Sequence, residues 1–184
     1  MEKLISARQQ IEQTLLNNST KFLVGEINDL SVEEIIKWIV YENLVEDKNP
    51  ILTLYINSGG GNMYDAFALI DIMRSSKIPI RTVGIGTVMS AAFLIFASGK
   101  KGHRHIGRNT AIMCHQHTSE VEGKYHDVKA AIREDELTNK RMMEVLRNCT
   151  DLDMSTIKTK FMPASDVFFT SKELVEYGVA DKIL

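Results

Sequence analysis

The sequence is short of cysteine, of long apolar runs and of any excess charge, and each shortage excludes a class of protein. Two cysteines in 184 residues do not make a disulfide framework, so free thiols are expected. A formal net charge of −2 leaves no basic surface typical of nucleic-acid binding. No apolar stretch approaches the roughly 20 residues that span a bilayer. The start, MEKLISARQQIEQ, also lacks the apolar core of a secretion signal. Together these observations predict a cytoplasmic protein with no membrane partner and no nucleic-acid partner.

The chain instead has the size and apolar content of one compact domain. Hydrophobic residues make up 44% of it, and no linker, low-complexity tract or repeat divides residues 1–184. Apolar runs alternate with segments of helical periodicity along the whole length. This alternation predicts an α/β fold with a mostly parallel sheet and crossover helices.

Individual elements can be predicted from these patterns. Strands are predicted at 21–27, 51–57, 78–86, 111–116 and near 179–183. Helices are predicted at 31–47, 62–75, after Ser90 and at about 124–148, then as a further short helix in the tail and within 168–178. Ser31 with Glu34, and Thr170 with Glu173, fit capping boxes at two helix starts. The three glycines at 59–61 are expected to break the second strand.

Sites in parallel sheets form at the carboxyl ends of strands, which directs attention to 59–61, Ser90 and His115. A serine before a helix is usually an N-cap or a packing residue. At a strand-to-helix junction, however, it can present its oxygen while free N–H groups of the first helical turn face a developing negative charge. The string G-T-V-M-S-A-A around Ser90 differs from G-x-S-x-G, so the hydrolase elbow of that pattern is not the match.

A nucleophilic serine needs a base, and the base needs an orienting partner. His115 follows the apolar run AIMC and should lie at the same sheet edge as Ser90. Asp166, between MPAS and VFF, is the acid expected to be semi-buried. Taken singly, a structural histidine and a capped or surface aspartate are the commoner interpretations. The glycines at 59–61 form either a turn that needs positive φ or a loop that donates N–H groups to an oxyanion.

Metal binding is a minor alternative. His103 with His105, and His115 with His117, are pairs whose side chains share a face of a strand and could chelate, and Cys114 is adjacent. No carboxylate completes a zinc pattern, and no familiar spacing links the two pairs.

Four blocks of the sequence, in order, resemble the proteolytic subunits of the Clp protease, the ClpP family. The blocks are LYINSGGG, GTVMSAAF, MCHQH and SDVFFTSKELVEYGVADKIL, and the similarity runs from about Phe22 to Leu184. The resemblance implies the crotonase-like spiral of ββα units, in which the long segment at about 124–149 is a protruding handle helix.

The resemblance also implies an activity, a serine endopeptidase that cleaves unfolded polypeptides inside a ring-shaped chamber. The implied assembly is a homo-oligomeric ring of seven copies, either single or stacked in pairs as a tetradecamer. A AAA+ unfoldase would deliver substrates to it. The resemblance implies no metal or organic cofactor. The implied roles are Ser90 as nucleophile, His115 as base, Asp166 as orienting acid, Gly61 and Ala91 as oxyanion hole, and Gly60, His117, Thr118 and Ser119 as substrate-binding residues.

The sequence departs from the family pattern at two places that bear on function. HTSEVEG, with Glu120 and Glu122, replaces the glycine-rich strand that pairs with substrate, and Ala164 with Ser165 replaces an acid–arginine pair that bridges the rings. Two alternatives therefore stay open. One is a catalytically weak or silent ring subunit that modulates another Clp peptidase. The other, less favoured because all three triad residue types are present, is acyl-CoA chemistry on the same spiral fold.

Overall fold

A computed structural model describes residues 6–45 and 49–184, and within them it contains seven strands, seven α-helices and one π-helical turn. The helices are α1 (Ala7–Asn17), α2 (Asp29–Leu44), α3 (Met63–Ser75), α4 (Ala91–Ala97), α5 (Tyr125–Cys149), α6 (Met154–Thr156) and α7 (Ser171–Glu176). The strands are β1 (Thr20–Ile27), β2 (Leu52–Gly61), β3 (Ile80–Met89), β4 (Arg104–Ile106), β5 (Ala111–Cys114), β6 (Val167–Phe169) and β7 (Lys182–Ile183). The π-helical turn, Ile157–Phe161, continues α6.

The strands form one mostly parallel sheet, which confirms the predicted α/β class. Its order is β1-β2-β3-β4-β7, with every neighbouring pair parallel. Strand β3 is shared between two partners, because its first half pairs with β4 and its last residues pair with β5. Strand β6 then lies antiparallel to β5. The carboxyl end of β3 therefore lies beside β5 and one strand away from β6.

The core lies between this sheet and the helices that pack on it. Leu52, Leu54 and Ile56 of β2 are fully buried, as expected for a central parallel strand. All seven residues of α4 are fully buried, and α4 contacts both β2 and β3. A helix that is apolar on every side is stable only inside a protein. Burial thus explains the apolar sequence AAFLIFA of α4. It also fixes the position of Ser90, the residue just before this helix.

Strand β2 does not end at its glycines, so the predicted break at 59–61 is wrong. Gly60 pairs with Glu26 and Gly61 pairs with Ile27, beyond a register shift in β1. Gly60 and Gly61 have φ angles of +107° and +147°, which glycine adopts without the steric penalty of a side chain. A Cβ at Gly61 would collide with the backbone of Ile27. The glycines therefore allow an irregular strand to continue close to its neighbour.

The helices agree with the prediction except at the amino-terminal side. Helix α1 was not predicted, because its residues are polar and none of them is buried. Helix α2 begins at Asp29, so Ser31 is its third residue and forms the capping box with Asn28. The predicted Ser31/Glu34 box is therefore wrong, whereas the Thr170/Glu173 box is confirmed. Positions 46 and 47 of the predicted helix 31–47 lie outside the described residues.

The long predicted helix is confirmed as α5, and four of its 25 residues are buried. In the described parts of the chain, no helix combines the length and the apolar character needed to cross a membrane.

A buried ion pair joins the end of the chain to the sheet. The Arg104 guanidinium, fully buried in the unpredicted strand β4, donates to both carboxylate oxygens of Asp181 at 2.7 and 2.8 Å. It also donates to the carbonyl of Cys149 at the end of α5, at 2.8 Å. Burial alone raises the pKa of Asp181, but hydrogen bonds from Arg104 outweigh it and hold that pKa below its ordinary value.

Candidate active site

Ser90 lies between β3 and α4 in a backbone conformation that is rare for a residue with a side chain. Its φ and ψ are +54° and −124°. Its N–H donates to the carbonyl of Met113 at 3.0 Å, and its own carbonyl accepts from the N–H of Phe93 at 3.0 Å. Although Ser90 occupies the N-cap position of α4, its side chain makes no capping hydrogen bond. The hydroxyl is therefore turned away from the helix and towards another partner.

Gly60 packs directly against Ser90, and it must be glycine for that reason. A Cβ at Gly60 would lie 2.7 Å from the Cβ of Ser90 and 3.0 Å from the carbonyl oxygen of Met89. The same Cβ would lie 3.2 Å from the nitrogen of Ala91, so the peptide that joins Gly60 to Gly61 runs beside the first turn of α4. The N–H of Ala91 belongs to that turn, whose first N–H groups have no acceptor within the helix.

His115 follows β5 immediately and meets Ser90. Its Nε2 is 2.7 Å from Ser90 Oγ, which is hydrogen-bond distance for a hydroxyl that donates to a neutral imidazole. The pairing of Met89 with Met113 aligns the ends of β3 and β5 and so brings the two side chains together. The side chain of His115 is 17% exposed. The prediction that His115 lies at the same sheet edge as Ser90 is confirmed.

Asp166 lies on the other side of the imidazole. It directly precedes β6, whose residue Val167 pairs with Cys114, so the antiparallel register places Asp166 next to His115. Asp166 Oδ1 is 3.6 Å from His115 Nδ1, longer than a hydrogen bond, and the side chain is 57% exposed. The expectation that Asp166 is semi-buried is therefore wrong, because β6 pairs on one side only and leaves the residue before it facing solvent.

An aromatic cluster anchors the segment that carries Asp166. Phe161 of the π-helical turn stacks on Phe169 of β6, with ring centroids 4.9 Å apart. Phe93 of α4 and the edge of Tyr177 complete the cluster. Buried aromatic pairs of this kind are worth about 0.5–1.5 kcal/mol beyond the area they bury. The backbone of β6 is thus fixed even though Asp166 itself is exposed.

Two of the three predicted substrate-binding residues after His115 are bound to α5. The N–H of His117 donates to Asn139 Oδ1 at 2.8 Å, and the hydroxyl of Ser119 donates to Asp135 Oδ2 at 2.5 Å. Thr118, between them, is exposed. Asp135 and Asn139 were missed in the sequence, because they lie in a charged helix and nothing in its periodicity distinguishes them from other surface residues.

The remaining histidines and the cysteines form no metal site in the part of the chain that the structure describes. Within residues 6–45 and 49–184, no three His, Cys, Asp or Glu side chains gather as a metal site would require. Burial, together with nearby Arg81 and Lys182, lowers the pKa of His105. Burial raises the pKa of the Cys114 thiol to about 12, so Cys114 is an inert thiol beside His115. Both cysteines are free, as predicted.

Comparison with known proteins places the chain in a family. The family model described as Clp protease matches residues 5–184. The ATP-dependent Clp protease proteolytic subunit of Borrelia garinii subsp. bavariensis is 31% identical over 174 residues, which cover 95% of this chain and 88% of that protein. Both matches extend over nearly the whole chain, and they confirm the resemblance seen in the four sequence blocks. The chain belongs to the Clp protease family and is a peptidase of the serine type.

Proposed function

We propose that this chain is a proteolytic subunit that cleaves unfolded polypeptides with Ser90 as nucleophile, His115 as general base and Asp166 as orienting acid. The observation that carries the proposal is the 2.7 Å separation of Ser90 Oγ and His115 Nε2. The hydroxyl makes this contact from a backbone conformation with positive φ and without capping the helix that follows. Rare conformations of this kind persist at sites where the surrounding structure enforces them.

The reaction follows from these positions. Ser90 Oγ attacks the scissile carbonyl while His115 Nε2 accepts its proton, and the imidazolium then protonates the leaving amine. Water, activated by the same imidazole, releases the acyl group from Ser90. The N–H groups of Gly61 and Ala91 stabilise the oxyanion, and Gly60 keeps the intervening space free of side chains. Asp166 stabilises the imidazolium and selects the tautomer with a proton on Nδ1.

The separation of 3.6 Å between Asp166 and His115 is compatible with this role. Catalytic hydrogen bonds are often long before substrate binds and tighten in the complex. A movement of less than 1 Å by an exposed side chain would bring Oδ1 within hydrogen-bond distance of Nδ1.

Two surfaces that the fold leaves open support the partners that we propose. Phe22 and Tyr55 stack on the outer face of the sheet, with centroids 4.8 Å apart, and Phe22 and Val24 are exposed. We assign this apolar face to an ATPase of the AAA+ class, and the long, mostly exposed α5 to contacts with other copies of the chain. The name of the relative, which calls its activity ATP-dependent, supports the first assignment. A ring of seven, single or double, and a cytoplasmic location stay predictions.

The experiment that tests the proposal is Ser90→Ala. Loss of one triad member can lower kcat by about 10⁴- to 10⁶-fold, so peptide hydrolysis and covalent labelling by a fluorophosphonate should both disappear. The exposed Ser155, changed to alanine, is the matched control and should keep both. Labelling of Ser90→Ala at the wild-type rate, in a correctly folded protein, would exclude Ser90 as the nucleophile.

A second candidate is a weak or silent subunit that modulates another Clp peptidase. The exposure of Asp166 and the engagement of the His117 N–H by α5 favour it. Absence of labelling on the wild-type chain alone, together with a change of assembly mass when a second Clp peptidase subunit is added, would support this candidate.

A further inference from the structure

The segment after His115 is held against α5 by two side chains of that helix. Asn139 Oδ1 accepts from the His117 N–H at 2.8 Å, and Asp135 Oδ2 accepts from the Ser119 hydroxyl at 2.5 Å. The other oxygen of Asp135 lies 3.5 Å from His117 Nε2. Asp135 and Asn139 are four residues apart and so project from one face of the helix. Three polar groups of the segment therefore meet a single stripe of α5.

These contacts matter because the segment has no regular structure to hold it. Residues 115–124 belong to neither a helix nor a strand. Between His115 and His117, the side-chain amide of Gln116 donates to the carbonyls of Met162 and Pro163 at 3.0 and 3.1 Å. The two residues that follow His115 are thus both anchored, Gln116 to the loop before Asp166 and His117 to α5.

The contact with Asn139 also decides which groups of the segment remain available. A free backbone N–H can donate to a polypeptide that lies extended beside it. Here the His117 N–H is already bonded to a side chain, and the Ser119 hydroxyl is bonded to a carboxylate. His117 and Ser119 are therefore anchors of the segment, which leaves Thr118 exposed between them.

We infer that Asn139 and Asp135 are positioning residues of the peptidase site. Through His117 and Ser119 they hold the backbone that follows His115, and with it the orientation of the imidazole towards Ser90. This inference rests on the proposed function of Ser90 and His115. Neither residue touches the reacting atoms. Asn139 acts through the backbone of His117, two residues after His115, and Asp135 acts through the side chains of His117 and Ser119.

The test compares Asn139→Ala with Asn139→Asp in the full-length chain. A displacement of about 1 Å at a catalytic group can lower the rate by about 10²-fold, so Asn139→Ala should lower kcat/KM for a fluorogenic tetrapeptide amide by about 10- to 100-fold. Asn139→Asp keeps the oxygen that accepts from the His117 N–H, and it should recover most of the loss. The rate of fluorophosphonate labelling at Ser90 should be highest in wild type, lower in Asn139→Asp and lowest in Asn139→Ala. This rate depends on the Ser90–His115 pair and does not require peptide binding.

Two further variants separate this role from general destabilisation. Ser119→Ala removes one anchor without altering the helix, and it should lower kcat/KM by about 3- to 10-fold. This loss is a tenth or less of the roughly 10²-fold loss expected when a catalytic group is displaced by about 1 Å. Glu136→Ala, an exposed acid beside Asp135, is the matched control and should leave kcat/KM unchanged. Melting temperature and assembly mass are measured for each variant.

The outcomes distinguish this inference from the proposed function. If wild type is labelled and active while Asn139→Ala and Ser119→Ala both keep kcat/KM within twofold, the positioning role is wrong and the triad stands. The same conclusion follows if Asn139→Asp is as impaired as Asn139→Ala. If wild type itself is neither labelled nor active, the proposed function fails and takes this inference with it.

Discussion

The two halves of the candidate site are built in opposite ways. On the nucleophile side, Ser90 is fixed between a buried helix and the close-packed Gly60, and α4 has no exposed residue. On the acid side, Asp166 is 57% exposed and stands 3.6 Å from the imidazole. His115 belongs to both, since its Nε2 meets the buried half and its Nδ1 faces the exposed half.

The difference shows where precision is enforced in this molecule. Interiors are packed as densely as organic crystals, so a residue pressed between buried elements has one position available. An exposed carboxylate can move, and water can take over part of its role. We therefore expect changes on the buried side to cost more activity than changes on the exposed side, and the following predictions test that ranking.

Among the changes that compare the two halves, the largest effect is expected from Gly60→Ala. The added methyl would lie 2.7 Å from Ser90 Cβ, at a φ of +107° that side chains rarely adopt. Displacing both the proposed nucleophile and a proposed oxyanion donor should lower kcat/KM by about 10³-fold or more. Steady-state peptide hydrolysis measures the loss. Gly59→Ala is the matched control, since a Cβ there meets nothing within 4 Å, and equal losses at both positions would contradict the argument.

A smaller effect is expected from Asp166→Asn. Removing a buried triad aspartate costs about 10⁴-fold, and because Asp166 is exposed we expect about 10²-fold here. The measurement is kcat/KM across pH, compared with Gly60→Ala under the same conditions. A loss that exceeds that of Gly60→Ala would reverse the ranking of the two halves and would show that Asp166 is held more tightly during the reaction.

The smallest effect on activity is expected from Asp181→Asn, which lies outside both halves. Hydrogen bonds to charged groups contribute about 1.5–3 kcal/mol each, so loss of the carboxylate charge should lower the free energy of unfolding by about 2 kcal/mol and leave the activity of folded molecules unchanged. Because the folded-state pKa of Asp181 is lowered, its contribution is present above the ordinary aspartate pKa and is lost as pH falls through the folded value.

Urea unfolding at neutral and acidic pH measures this contribution. Wild type should lose stability on acidification more steeply than Asp181→Asn does. The exposed Lys101–Asp151 pair supplies the control, since Lys101→Ala should produce no measurable change. If Asp181→Asn had the same free energy of unfolding and the same acid dependence as wild type, the ion pair would contribute nothing to folding.

Much of the fold could be predicted because its elements differ in local pattern. The apolar run of β2 and the long polar helix α5 are recognisable from ten or twenty residues each. Elements whose formation depends on distant neighbours were missed. Strand β4 has only three residues, and it becomes a strand because β3 and β7 lie on either side of it. Helix α1 was also missed, since most of its residues are polar and none of them is buried.

The same distinction applies to the candidate site. Apolar runs end just before Ser90 and His115, and these runs were enough to predict that both residues follow strands. The tertiary arrangement set how they meet, since the contact depends on β3 leaving β4 to pair with β5. It also decided that Asp166 would be exposed and that α5 would bind the segment after His115. Local patterns record which face of an element is buried, whereas the register between strands and the contacts of exposed polar side chains are set by residues far away along the chain.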